Sequence, residues 1–349
     1  MRVAFVTVGD TNRLTGGYLY NARVIAALRE MGVEAGEIVP CGASPEEQGE
    51  AARRLGTNLD VRAFDVIVVD ALARIVCAPH LDRWHEERPV VAMVHELPSV
   101  AQDGDAVSRE HEAPLLRSDR LISVSSHGAS ILEERGIPAA RIRVVPPGFD
   151  RFPPASSLSL SVRDGVVRAL CVAQWIPRKG ILDLMRAWTL RERPGASLEL
   201  IGETDADPSY EASVRAAIAA SPGTSTRARG PVDDRALAAA YAAADLFVLP
   251  SRYEGYGVVY AEALAHGLPV VACDAGPVPK LVGREAALLV PPGDVEALST
   301  ALDLLLNDAG LRDRMSAAAR RRALALPRWE DTAAGFLRVL RELVAERSP

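Results

Sequence analysis

The sequence predicts an α/β protein, with parallel sheets covered by helices on both faces and repeated in two domains. Three observations carry this. Short, near-continuously apolar runs recur along the chain, among them 65–70 (DVIVVD), 90–94 (VVAMV) and 245–250 (DLFVLP). Strands without polar alternation belong in sheets buried on both faces. Stretches with apolar residues at helical spacing lie between these runs, the pattern of an α/β fold. At 349 residues, the chain is long enough for two domains of about 100 to 200 residues each.

In order, 3–8 (VAFVTV) reads as a strand, 9–17 as a loop and 18–32 as a helix ended by Gly32. Gly16 and Gly17 fall just before that helix. A Gly-Gly there is either a plain turn or a place where backbone donors reach a phosphate or a sugar. It is not the Gly-x-Gly-x-x-Gly of dinucleotide folds, which argues against NAD. Further strands are read at 65–70, 90–94 and 121–125. His95 follows the strand 90–94, where ligands of open α/β sheets bind; it is either a structural hydrogen-bonder or a catalytic group. Ser125 or Ser126 is expected to cap the next helix. The stretch 141–150 holds the domain's last strand, and 151–165, rich in Pro and Ser, reads as a linker. The domains are therefore expected at 1–150 and 151–330.

The second domain opens with a strand in 167–180, whose end delivers Arg178 and Lys179 to a helix start. Two cations oppose the helix dipole there, so a diphosphate between them would explain the placement. Strands follow at 197–203 and 245–250. The stretch 251–269 (SRYEGYGVVYAEALAHGLP) then places Glu254 in a loop and Glu262, eight residues on, in a helix over 258–265. Gly255 and Gly257 let a ligand approach the backbone, and the free N–H groups near Gly257 and Val258 suit a phosphate. Glu262 could accept from a ribose and Glu254 from a sugar hydroxyl. The plainer alternative is a strand-turn-helix with two solvated glutamates.

The net charge of −6 gives no nucleic-acid footprint, while a local basic patch touching a membrane stays open. No signal peptide and no run of 18 apolar residues is read, so no spanning helix is expected. The four cysteines form no Cys-x-x-Cys pair, which fits free thiols in a reducing cytoplasm. Asp103-x-Asp105 and Asp205-x-Asp207 look like a metal-binding pair, yet both sit in polar loops of an acid-rich chain, and no metal is expected. Of the 40 Lys and Arg residues only Lys179 and Lys280 are lysines, so a retained lysine is informative.

The stretch from Glu254 to Glu262, preceded by 230–257 (GPVDDRALAAAYAAADLFVLPSRYEGYG) and followed by Pro269-Val270-Val271, resembles the Glu-x7-Glu signature of the retaining glycosyltransferases of family 4. The likeness covers nearly the whole chain. It implies the GT-B fold, two Rossmann-like domains facing each other across a cleft, with a final helix at 331–349 returning to the first. It also implies a metal-independent enzyme that moves a hexose from a UDP- or GDP-linked sugar to a small-molecule, glycan or lipid-linked acceptor, with no other cofactor. His95 and Glu254 become the catalytic candidates beside the donor sugar. Gly16, Gly17, Arg178, Lys179, Tyr256, Gly257, Val258 and Glu262 become donor-binding. Many relatives carry Gly-Arg where this chain has Ala173-Gln174, and often Glu where it has Lys280. A nucleotide-sugar epimerase and an inactive sugar-nucleotide-binding module are the alternatives.

Overall fold

The computed structural model describes residues 1–9, 15–42, 44–101, 106–152, 165–221 and 225–347. The expected linker at 153–164, the Asp103-x-Asp105 pair and most of the loop after the first strand lie outside them. The chain divides into two compact units, 1–148 with 327–349, and 149–326.

The first unit holds β1 (Arg2–Val6), β2 (Glu34–Ile38), β3 (Val66–Asp70), β4 (Val90–Val94), β5 (Arg120–Ser123) and β6 (Ile142–Val144). All pair in parallel, in the order β2-β1-β3-β4-β5-β6. β3 and β4 are buried at every residue, as their valine-rich sequences require of central strands with helices on both faces. The order reverses between β1 and β3. The helix Trp329–Arg347 belongs to this unit and packs on the helix Gly16–Glu30, with Trp329 edge-on to Tyr20 at 6.1 Å. Thr332 Oγ1 donates to the carbonyl of Pro146 at 2.8 Å.

The second unit holds β7 (Val167–Val172), β8 (Ala196–Ile201), β9 (Thr226–Gly230), β10 (Leu246–Leu249), β11 (Val270–Cys273) and β12 (Ala287–Val290). They form a second all-parallel sheet, ordered β12-β11-β10-β7-β8-β9. This is the doubly wound order whose direction reverses between the first and fourth strands, here β7 and β10. Ligands of open α/β sheets bind in the crevice at that reversal, beyond the carboxyl ends of the strands.

Two details differ from the sequence reading. The first helix starts at Gly16, so Gly16 and Gly17 form its first turn instead of preceding it; Thr15, extended at φ −85° and ψ 156°, is the residue that turns the chain in. The strands β2, β9 and β12 were not expected, and each lies at the edge of its sheet.

Candidate active site

In the 149–326 unit the loops after β7 and β10 are drawn together by backbone fit. Gly180 has φ +69°, and a Cβ there would come within 2.3 Å of the Pro250 carbonyl oxygen. Only glycine accepts both the left-handed backbone and the contact. Arg252 N–H donates to the Arg178 carbonyl at 2.8 Å, and the Arg178 guanidinium donates to the Tyr253 carbonyl at 3.2 Å. The two loops are thus stitched in both directions.

This stitching sets Lys179 on Glu254, Nζ to the two carboxylate oxygens at 2.7 and 2.8 Å. Both side chains are largely buried, at 14% and 7% exposure. Burial pushes the Glu254 carboxyl up, but Lys179 and Arg178 together outweigh it and hold it below the usual carboxylate range. Next comes the helix Val258–Ala265, entered through Gly257 at φ +96°. A Cβ on Gly257 would meet the Tyr260 ring at 2.6 Å. No side chain caps this helix and no acidic residue occupies its first turn, so its N-terminal amides keep their positive end available to an anion. Tyr256, in the same turn, is half-buried, and burial raises its hydroxyl to about 12.

Glu262, one turn into that helix, is 1% exposed. Arg151 donates to one carboxylate oxygen at 3.2 Å and Tyr241 to the other at 2.9 Å. Arg151 also pairs with Asp234 at 2.5 Å. Burial nonetheless dominates and keeps the Glu262 carboxyl above its ordinary range, with Arg151 and Tyr241 opposing it. A carboxylate has about four acceptor positions, so capacity remains beyond these two bonds.

In the other unit, His95 follows β4, and its Nε2 lies 3.0 Å from Asn21 Oδ1. Gly17 lies over the ring, where a Cβ would sit 3.4 Å from Cδ2. Gly16 is exposed beside it in the uncapped first turn. Asp70, at the end of β3, is fully buried and accepts from Thr7 Oγ1 at 3.0 Å, from Leu72 N–H at 2.9 Å and from Asn21 Nδ2. Burial lowers the His95 pKa, against the pull of Asp70 and Glu96.

Several expectations are corrected. Arg178 and Lys179 do not start the helix Ile181–Thr189; they lie in a 3-10 turn, Pro177–Lys179, separated from it by left-handed Gly180. The dipole argument for a diphosphate between them therefore falls, and the Glu254 pair is itself a reason for Lys179 to be there. The two glutamates are buried, not solvated. Asp207 caps the helix Pro208–Ala219 through Tyr210 N–H at 3.0 Å, a structural use for half of the Asp205-x-Asp207 pair. Among the described residues no cluster of three or more His, Cys, Asp or Glu side chains could hold a metal. Gln174 donates to Glu203 at 2.5 Å, so its amide is engaged within its own unit. Arg151, Tyr241, Asp70 and Asn21 escaped the sequence reading; a carboxylate closing an apolar strand, as in DVIVVD, was the available signal for Asp70.

Comparison with known proteins agrees with this architecture. The chain is similar to sucrose-phosphate synthase from Thermosynechococcus elongatus, with a TM-score of 0.84 at 23% identity over 99% of this chain and 100% of that one. The two parallel six-stranded units are those of the GT-B fold. Residues 167–308 match the family model for glycosyl transferases group 1, and residues 20–151 that for glycosyltransferase family 4. An MMP alpha-(1->4)-mannosyltransferase from Mycolicibacterium hassiacum is 31% identical over 74% of this chain and 66% of its own. A D-inositol 3-phosphate glycosyltransferase from Kineococcus radiotolerans is 30% identical over 76% of this chain and 68% of its own. The chain belongs to the group 1, family 4 glycosyltransferases. It spans about half to two thirds of the length of the curated relatives it matches.

Proposed function

We propose that the chain is a retaining glycosyltransferase, moving a hexose from a UDP- or GDP-linked sugar to an acceptor without a metal ion. The observation that carries the reading is the buried Lys179–Glu254 pair at the reversal between β7 and β10, next to the uncapped helix start at Gly257. Its relatives' names, a mannosyltransferase and an inositol 3-phosphate glycosyltransferase, support hexosyl transfer. The acceptor class, whether small molecule, glycan or lipid-linked, is left to experiment, and the site of action proposed is the cytoplasm.

As the bond from the anomeric carbon to the diphosphate breaks, negative charge grows on the leaving phosphate. Lys179, Arg178 and the amides of Gly257 and Val258 are the groups assigned to that charge. Lys179 has three donors, enough to hold Glu254 and a phosphate oxygen together. Glu254 and His95 are assigned to the sugar and Glu262 to the ribose; Gly16, Gly17 and Tyr256 are assigned to the donor. The acceptor oxygen bonds to the anomeric carbon on the face the diphosphate leaves. Its proton passes to the departing phosphate oxygen, so no separate general base is needed, and the products are the glycoside and the nucleoside diphosphate.

The test is incubation with nucleotide sugars and candidate acceptors, reading the anomeric coupling of the product by proton NMR. Retention of the α-configuration is expected, and an inverted product refutes the mechanism. Incubation with donor and buffer alone separates the alternatives: free sugar and nucleoside diphosphate mark a transferase idling on water, an altered sugar still attached marks an epimerase, and no turnover marks a binding module.

A further inference from the structure

The polar groups beyond the carboxyl ends of β1, β3 and β4 form a one-way chain of hydrogen bonds. Its origin is the fully buried carboxylate of Asp70, which takes donors from Thr7, Leu72 and Asn21. Asn21, 3% exposed on the helix Gly16–Glu30, has no freedom to turn its amide over. The flipped amide would set its carbonyl oxygen against the carboxylate and lose a charge-assisted bond. With its NH₂ committed to Asp70, Asn21 faces His95 Nε2 with Oδ1, at 3.0 Å. A carbonyl oxygen only accepts, so the proton of that bond sits on Nε2.

The rest of the ring follows from its surroundings. Burial disfavours the imidazolium despite Asp70 and Glu96, and a neutral ring carries one proton. That proton is on Nε2, so Nδ1 is a bare acceptor. Nδ1 takes no hydrogen bond from the described residues and is not among the enclosed atoms lacking a partner. Tyr20 packs edge-on to the ring at 5.3 Å and 78°, and Gly17 lies over it, so the ring is held in place by packing as well as by Asn21.

We infer that Asp70 and Asn21 are positioning residues that fix His95 as the Nε2–H tautomer and present Nδ1 as an acceptor for a ligand hydroxyl. His95 in this state accepts from a neutral hydroxyl and has no free donor for a phosphate or carboxylate oxygen. Naming that hydroxyl as the donor sugar's rests on the transfer reaction proposed above; the tautomer does not, and is read without any donor present.

The test is long-range proton–nitrogen correlation NMR on ¹⁵N-histidine-labelled protein at neutral pH, with the His95 signals identified by their loss in His95→Ala. The expected result is a protonated Nε2 and an unprotonated Nδ1. In Asn21→Leu, the Nδ1–H form should gain population while the other five histidines keep their shifts. A wild-type His95 found as Nδ1–H or as the imidazolium overturns the inference, and so does a folded Asn21→Leu protein with an unchanged tautomer. The wild-type spectrum decides the matter alone if Asn21→Leu does not fold.

Discussion

Lys179→Ala should destabilise the 149–326 unit by about 3 kcal/mol at neutral pH, because it strands a buried carboxylate. Nζ contacts both oxygens of Glu254, and neither side chain is more than 14% exposed. Removing one partner of so buried a pair costs about 3–5 kcal/mol. The lower end applies because Arg178 also holds the Glu254 carboxyl down. If the stranded charge is the cause, Lys179→Ala with Glu254→Gln should be more stable than Lys179→Ala alone. The effect has a pH signature. In the native protein Glu254 sits below its ordinary range, so its contribution is present above the unfolded pKa of about 4.3 and is lost as pH falls through the lower folded value. Without Lys179, burial is opposed chiefly by Arg178, and the deficit relative to the native protein should widen from about pH 4 toward neutrality. Urea denaturation reads this, using Trp175 and Trp188, which lie in this unit's core, after Trp84→Phe and Trp329→Phe silence the other two tryptophans. A Lys179→Ala protein of native stability, or a double variant no more stable than the single one, refutes the reasoning.

Transfer activity should survive excess chelator, and a rate that collapses and returns with magnesium or manganese sinks the metal-independent reading. Glu254→Gln and His95→Ala should lower kcat far more than nucleoside diphosphate affinity measured by titration calorimetry, the mark of contacts realised in the transition state; full activity in both removes them from the site. Gly180→Ala should lower the urea midpoint, since left-handed strain alone costs roughly 1–3 kcal/mol and the Pro250 contact adds to it; an unchanged midpoint would mean the loops are not closely stitched. Arg151→Ala should raise the Glu262 carboxyl further, so stability falls more steeply than in the native protein as pH rises through the carboxylate range toward that raised value; parallel pH–stability curves would show that Arg151 does not hold the charge of Glu262.

The central strands were legible because burial on both faces writes itself as uninterrupted Val, Ile and Leu, as in β3, β4 and β10. The edge strands hide for the same reason inverted. β2, EAGEI, buries only Ala35 among its five residues, and β9, TRARG, alternates half-buried with exposed positions. Neither carries a run long enough to separate it from a loop. The site divides likewise. Glu254, Gly257, Val258 and Glu262 fall within nine consecutive residues, where spacing alone suggests a shared purpose. Arg151 and Glu262 are 111 positions apart, and Asn21 and Asp70 are 49 apart. Nothing local to either partner announces the other, since strand order is what brings them together. Lys179 shows the opposite hazard: a helix start at Lys179 is the natural reading of the sequence, but left-handed Gly180 moves that start to Ile181, two residues on.

The two glutamates of the same short motif are driven in opposite directions by their surroundings. Lys179 and Arg178 hold the Glu254 carboxyl low, while burial keeps that of Glu262 high against Arg151 and Tyr241. Groups whose environments push their ionisation apart are suited to different tasks. On the proposed transfer, Glu254 is the permanent anion, and its partner is the cation assigned to the leaving diphosphate. As the bond breaks, positive charge grows on the sugar and negative charge on the phosphate. A fixed anion and a fixed cation already in contact can meet both without reorganising at the moment of reaction. Glu262 is placed differently: burial raises its carboxyl against Arg151 and Tyr241, which donate to its two oxygens, and the acceptor positions left over suit the hydroxyls of the ribose assigned to it. The eight-residue spacing thus separates two electrostatic environments, one at the loop where charge develops and one a helical turn away where the nucleoside would be read.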